Sequence, residues 1–225
     1  MPDTLKRIAA ALPAAWQLEL KRLHFRRKIQ RGEFGSNEHE FALLSSLVAR
    51  GDWVIDVGAN VGNYALRLSE LAGETGRVIA LEPIPETMSL LAANMLLSPF
   101  RNLTLLNVAA SDQALVAPMV LPTFSSGLPN YYRAQIVAGT RGQAYGVLTM
   151  PIDALGLTER VSFVKIDAEG HEAAVLRGMM GLIERSRPAL LIETDDSAVA
   201  GFLSNYGYSA SRIPGSANQM FLPSA

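Results

Sequence analysis

The sequence predicts a single α/β domain built on a mostly parallel β-sheet with helices on both faces. Three observations carry this. The chain has 225 residues, 49% hydrophobic and 18% charged, which suits one globular domain with a large core and leaves little room for two. Short runs that are apolar throughout recur along the chain, as strands buried on both faces require. Between them lie segments of helical period, so strand and helix alternate. The chain has no cysteine and three histidines, which excludes a disulfide framework and a thiolate metal site and argues against zinc.

Taken from the N-terminus, residues 5–34 read as one or two basic amphipathic helices broken near Pro13. Residues 1–32 carry a net charge of +6 and the remainder −7, so a basic arm, residues 1–36, precedes an acidic main domain, residues 37–225. "NEHEFALLSSLVARG" (37–51) reads as a helix capped by Asn37, with Glu40 completing the cap and Gly51 ending it. Strands follow at 53–57 (WVIDV), 77–81 (RVIAL), 103–109 (LTLLNVA), 161–166 (VSFVKI) and 189–193 (ALLIE). Helices are expected at 63–72, 86–97, 171–185 and 196–206, and segments 208–213 and 219–222 form a terminal antiparallel pair. Across 113–150 the alternation lapses among Pro118, Pro122, Pro129 and Tyr131, Tyr132 and Tyr145. A structureless loop of that length is uncommon in a compact domain, so an insert with its own β structure, or a lid, is expected there.

No apolar run approaches the ~20 residues of a membrane-spanning helix, and the first residues lack the pattern of a secretory signal. A cytoplasmic protein is expected. In the arm, Trp16, Leu18, Leu20, Leu23 and Phe25 interleave with Lys21, Arg22, Arg26, Arg27 and Lys28. That pattern suits a helix packed on the domain with a solvated face, a partner-docking helix, or peripheral contact with the inner face of a membrane.

"VIDVGANVG" (54–62) ends an apolar strand in Asp56 and turns through Gly58, Asn60 and Gly62 into a helix. In an open parallel sheet, ligands bind beyond the carboxyl ends of the strands, where glycines let the backbone come close. The spacing differs from the G-x-G-x-x-G of dinucleotide sites, which seats a pyrophosphate. An acid before the glycines suits a ligand with a cationic group, such as the amino-acid end of S-adenosylmethionine. Glu82 ends the second strand in "VIALEP", placed to accept from two ribose hydroxyls. Ser111 and Asp112 follow the third strand, where Asp112 or a nearby backbone group is placed to accept from an adenine amine. A strand-end acid beside a glycine turn also serves as a simple helix cap.

"VKIDAEGHEAAVLRG" (164–178) places Lys165, Asp167, Glu169, His171 and Glu172 around the end of the fourth strand. Buried unpaired, such groups are too costly to be core filler. Lys165 and Asp167 are two residues apart and face the same side of the strand. His171, with an ordinary pKa of about 6.5, suits a general base; Glu169 and Asp167 are its competitors. Acids opening a helix also satisfy its dipole without a catalytic task, and Lys165 also suits a structural pair with Asp167.

With "VIDVGANVG", "VIALEP", "NVAASD", "FVKIDAEGHE" and "RPALLIE" in this order, residues 37–205 resemble the FkbM-type S-adenosylmethionine-dependent methyltransferases. The resemblance implies a Rossmann-like class I methyltransferase fold with a seven-stranded sheet. It implies S-adenosylmethionine as cofactor and methyl transfer to a hydroxyl, of a sugar in a glycan or of a natural-product alcohol. By position, Asp56, Gly58, Asn60 and Gly62 would hold the methionine moiety, Glu82 the ribose, and Ser111 with Asp112 would lie by the adenine. Asp167, Glu169 and His171 would face the acceptor. The metal-dependent alternative is Mg²⁺ held by Asp167 with Glu193, Asp195 and Asp196; the base reading assigns no metal ligand. The rivals are a nucleic-acid base methyltransferase and a non-catalytic S-adenosylmethionine-binding protein. An Asn-Pro-Pro-Tyr type motif is missing after the fourth strand, where Asp167-Ala168-Glu169-Gly170 stands, and "LPNYY" (128–132) lies within the insert. The acidic main domain repels phosphate, so no nucleic-acid partner is expected.

Overall fold

The computed structural model describes residues 12–124, 130–137 and 145–224. The first part of the arm and residues 125–129 and 138–144 of the insert, with Leu128 and Pro129 of "LPNYY", lie outside the described residues.

Helix α1 (Ala14–Gln30) begins directly after Pro13, whose fixed φ suits a helix entrance. It packs against α4 (Pro85–Met95). Its apolar residues are divided between two faces. Leu18, Phe25 and Ile29 are half-buried toward the domain, whereas Trp16, Leu20 and Leu23 are exposed. The single apolar face expected of an amphipathic arm is therefore replaced by two.

Helix α2 (His39–Leu47) takes Glu38, not Asn37, as its N-cap, with no side-chain cap. Glu40 does not complete a capping box. Its carboxylate is fully buried and accepts from Ser216 Oγ at 2.7 Å and from Asn218 Nδ2. A tertiary hydrogen-bond pair thus overrides the local signal. The helix also stops at Leu47, short of Gly51.

A seven-stranded sheet follows: β1 (Trp53–Val57), β2 (Arg77–Leu81), β3 (Leu103–Leu106), β8 (Val161–Ile166), β9 (Ala189–Glu193), β10 (Tyr208–Arg212) and β11 (Asn218–Pro223). Their spatial order is β10-β11-β9-β8-β1-β2-β3. From β3 to β9 neighbouring strands are parallel, and β11 runs antiparallel to both β9 and β10. The sheet and its terminal antiparallel pair match the expectation. Strand order reverses at β1, which carries the glycine turn and therefore sits at the switch point where ligands bind.

Alternate strand residues feed two cores. Ile55, Ile79, Val164 and Leu190 pack on one face with helices α5 (Glu172–Arg177), α6 (Met180–Ser186) and α7 (Ser197–Ser204). Val54, Val78, Phe163 and Leu191 pack on the other with α2, α3 (Asn63–Ala72) and α4. Each fully buried side chain of this size stabilises the fold by roughly 1.5–3 kcal/mol, so the strand register is held from both sides.

The insert builds a second sheet in the order β4-β7-β5-β6, from β4 (Ala109–Ala110), β5 (Leu115–Val120), β6 (Gln135–Ile136) and β7 (Tyr145–Met150). The third strand, expected to run to residue 109, is broken at Asn107, whose Nδ2 donates to the carbonyls of Glu82 at 2.8 Å and Pro83 at 3.0 Å. That fastening lets Ala109 leave the main sheet and pair with β7.

The single helix expected at 171–185 is two helices. Asp153 accepts from the amides of Gly181 and Leu182, both at 2.8 Å, and so opens α6 separately. At the junction, a Cβ on Gly178 would lie 1.8 Å from the carbonyl oxygen of Ser111. Gly178→Ala is expected to cost about 1–3 kcal/mol by overpacking against backbone. Gly201→Ala, on α7 with nothing within 4 Å of its Cβ, is expected to add about 0.4–1 kcal/mol. Urea unfolding of both variants checks the contrast.

Candidate active site

The carboxyl ends of β1, β2, β8 and β9, roofed by the insert, enclose a cleft of about 680 Å³. The turn after β1 holds three residues with positive φ: Gly58 at 73°, Asn60 at 50° and Gly62 at 95°. Gly58 is a steric necessity against backbone, and Gly62 is required by its left-handed φ more than by the side-chain ends it faces. A Cβ on Gly58 would lie 1.9 Å from the Asp167 carbonyl oxygen, and one on Gly62 would lie 2.6 Å from Leu91 Cδ1. The amides of Gly58 and Ala59 both donate to the Leu81 carbonyl at 3.0 Å, and Asn94 Nδ2 donates to the Val61 carbonyl at 2.8 Å. The turn is thereby fixed to β2 and α4.

Glu82, nearly buried, accepts from the Asn60 amide at 3.0 Å and the Ile84 amide at 2.9 Å, one on each carboxylate oxygen. Each oxygen keeps a further lone pair for the cleft. Burial pushes its pKa up to about 7 despite the two amides. Beyond it, Ile84, Val108, Ala109 and Ala110 give the cleft an apolar floor suited to a flat base.

Asp56 is fully buried, and neither of its oxygens has a hydrogen-bond partner among the described residues. It opens onto a smaller cavity of about 120 Å³, whose walls include Gly58, Asn60, Lys165 and Asp167. Burial raises its pKa to about 6, with Lys165 opposing and Asp167 adding to the shift. Asp56 and Lys165 are register partners across β1 and β8. An orphaned buried carboxylate, a turn with no side chain at residue 58 and a two-amide cradle for Glu82 fit a cationic amino-acid end joined to a ribose. Asp56, Gly58, Asn60 and Glu82 are the residues that would hold it, whereas Gly62 lines neither cavity and faces Leu91 and Met95 of α4.

The fourth-strand end supplies the other wall. Lys165 Nζ donates to Asp167 Oδ2 at 3.1 Å and lies 4.7 Å from the centre of the Tyr64 ring. Burial works against its charge, but Asp167 and Asp56 outweigh it and raise its pKa. The ion pair expected from their spacing is present. Glu169, at φ 50°, holds a left-handed conformation that costs a non-glycine residue roughly 1–2 kcal/mol. It lines the cleft and a neighbouring acidic cavity of about 330 Å³. Burial, with Asp167 and Glu193 beside it, pushes its pKa up to about 7. His171 also lines the cleft, but its Nε2 is 2.9 Å from Ser111 Oγ. Burial lowers its pKa, which favours the neutral imidazole.

Ser111 and Asp112 fall behind the cleft wall that Ala109 and Ala110 form. Ser111 is buried against His171, and Asp112 is engaged by Arg177 Nε at 2.9 Å. Neither touches the cleft, so the polar contact expected for an adenine is not offered by their side chains. Asp196 caps α7, accepting from the Ala198 amide at 2.8 Å. Among the described residues no group of three or more His, Asp or Glu side chains is arranged to hold a metal ion.

Several lining residues were not singled out by the motifs. Glu38 precedes α2 and accepts from Tyr64 Oη at 2.5 Å. Arg133 and Tyr131 come from the insert. Glu193, named from the sequence only as a candidate Mg²⁺ ligand, ends β9 and lines the cleft. Glu38 and Arg133 carried no signal in the sequence, because only the fold brings them to the cleft.

A model of the methyltransferase FkbM domain matches residues 56–210. The chain is 31% identical over 142 residues to protein-L-isoaspartate O-methyltransferase of Methanococcoides burtonii, covering 60% of this chain and 66% of that protein. The crystal structure of methyltransferase FkbM from Methylobacillus flagellatus superposes with a TM-score of 0.54 at 18% identity, over 76% of this chain and 43% of that one. Fibrillarin of Aeropyrum pernix with bound S-adenosyl-L-methionine gives a TM-score of 0.50 at 17% identity, over 80% and 70% of the two chains. The chain spans less than two thirds of the length of the curated relatives it matches. The structural likenesses share the class I methyltransferase fold.

Asp56, Glu82 and Glu169 hold protons in the folded chain at pH values where the unfolded chain has released them. Their stabilising contribution is full below about pH 4 and is lost as pH rises through about 6 to 7. Glu82→Gln is therefore expected to flatten the fall in the urea midpoint of the ligand-free protein between about pH 4.5 and 7.5. Urea titrations across this range check it, and an unchanged slope would contradict the assignment.

Proposed function

The chain belongs to the FkbM methyltransferase family, and on that premise we propose that it is an S-adenosylmethionine-dependent O-methyltransferase acting on a hydroxyl of a sugar in a glycan or of a natural-product alcohol. The observation that carries the reading is that Glu82, in its two-amide cradle, and Glu169, with its raised pKa, share one cleft. One group suits a ribose; the other suits a base near neutral pH.

The bound cofactor supplies an electrophilic methyl on a sulfonium. Asp56 would face the cationic amino-acid end and the turn at Gly58 would seat it, while Glu82 would accept from the ribose hydroxyls. A neutral alcohol is a weak nucleophile, so a base at hydrogen-bond distance accelerates its attack. Glu169 would take the proton of the acceptor hydroxyl, leaving that oxygen free to accept the methyl group that the bound cofactor would supply. A carboxylate with pKa near 7 is ionised enough to accept that proton and weak enough an acid to keep it. His171 is the second choice, because its Nε2 is already paired with Ser111. Lys165 holds Asp167 beside the acceptor.

Charge supports this acceptor class. Asp167, Glu169 and Glu193 line the acceptor side, and such a wall repels phosphate and carboxylate while hydroxyls donate hydrogen bonds to it. This favours polyols over nucleic acids and over protein carboxylates.

The test uses methyl-labelled S-adenosylmethionine with sugars, simple alcohols, RNA and a peptide substrate. Label in an alkali-stable ether on a sugar or alcohol is expected. Glu169→Gln should lower kcat by about 10²–10⁴-fold without loss of cofactor affinity. Label in RNA, or as an alkali-labile ester, would overturn the acceptor assignment, and cofactor binding without transfer to any acceptor would favour a binding protein.

A further inference from the structure

Helix α1 is joined to the domain by one face only. Phe25 packs edge-on against Phe34 with ring centroids 5.8 Å apart, Ile29 joins the core beneath α2 and α4, and Arg22 donates to Ser89 Oγ. Lys21 Nζ sits 4.6 Å from the centre of the Tyr131 ring, which is part of the cleft wall. On the opposite face Trp16, Leu20 and Leu23 are 65%, 46% and 49% exposed. With Arg27 they follow the spacing of four, three and four that aligns residues along one side of a helix. Arg26 and Arg31 are exposed near this row. Glu19 is the one acid in the helix sequence, and its carboxylate is paired with Arg22.

We infer that this face of α1 is a docking surface for an anionic phospholipid bilayer, lying in the plane of the interface. A helix with large apolar side chains in a row and arginines along it meets both demands of an anionic surface, buried apolar area and charge complementarity. Tryptophan prefers the headgroup boundary. A second copy of the chain fits the face poorly, because each helix would bring the exposed Arg26, Arg27 and Arg31 against the same three arginines. The domain cannot claim the face either, since it already holds the other one. Lys21 and Tyr131 join the lipid-facing helix directly to the cleft wall, so the enzyme would meet its acceptor from the membrane surface.

The full-length chain is sedimented with vesicles of phosphatidylglycerol and phosphatidylcholine, and with vesicles of phosphatidylcholine alone. Binding to the anionic vesicles at low salt is expected, together with a shift of the tryptophan emission to shorter wavelength. Leu20→Ser with Leu23→Ser should weaken binding by about tenfold or more, and Arg26→Ser with Arg27→Ser by about tenfold. Affinity for S-adenosylhomocysteine should stay unchanged in both, which separates a lost surface from a lost fold. Equal binding to both vesicle types, or none to either, would overturn the inference. A chain that is dimeric in solution and becomes monomeric with Leu20→Ser and Leu23→Ser would overturn it too, giving the face to a second copy.

Discussion

Where β1 and β8 end side by side, the backbone at Gly58 and the carbonyl of Asp167 meet with no space for a side chain between them. The glycine turn and the fourth-strand acids belong to one wall because of this contact. It brings Asp56, Lys165 and Asp167 together at that wall as a row of acid, base and acid, the first two buried and Asp167 half-buried. Burying an isolated carboxylate costs several kcal/mol in practice, so Asp56 depends on Lys165 beside it and on a protonation equilibrium moved toward neutral pH. The surrounding strands make this tolerable. They are packed on both faces by apolar side chains that hold the register in place.

The same constraint explains how the cleft separates its tasks. On the β1–β2 side, Glu82 is committed to two backbone amides and the turn to the Leu81 carbonyl. That side is rigid and suited to a ligand of fixed shape. On the β8–β9 side the carboxylates of Asp167, Glu169 and Glu193 crowd one another, and the proton affinity of Glu169 rises with burial and with its neighbours. The insert, with Tyr131 and Arg133, closes over both. A rigid half and an electrostatically loaded half in one cleft is the arrangement that a group transfer between two different molecules needs.

Much of the fold was legible in the sequence because its signals are local. WVIDV, RVIAL, VSFVKI and ALLIE are continuous apolar runs, and each is a strand in the parallel sheet. The terminal pair was equally plain. What escaped depends on contacts distant in sequence. Pro118 within β5 masks a strand that pairs through β7. Glu40 has the spacing of a capping residue, yet its partners are Ser216 and Asn218. The 171–185 segment keeps helical period throughout, and only Asp153 and the approach of Gly178 to Ser111 break it. In the site, Asp56, Gly58, Glu82, Glu169 and His171 could be placed from strand ends alone. The pairing of Asp112 with Arg177, and the arrival of Glu38 and Arg133, could not, because nothing local encodes them.

The central claim is that Asp56 and Glu82 hold an S-adenosylmethionine-type ligand at the switch point of the sheet. Calorimetric titration of the purified chain with S-adenosylhomocysteine tests it most directly, alongside Asp56→Ala and Glu82→Ala checked for folding by circular dichroism. Saturable binding by the parent chain, weakened by more than about tenfold in each variant as the loss of a charged hydrogen-bonding group requires, is the result predicted. No binding by the folded parent chain, or equal binding by all three, would contradict it.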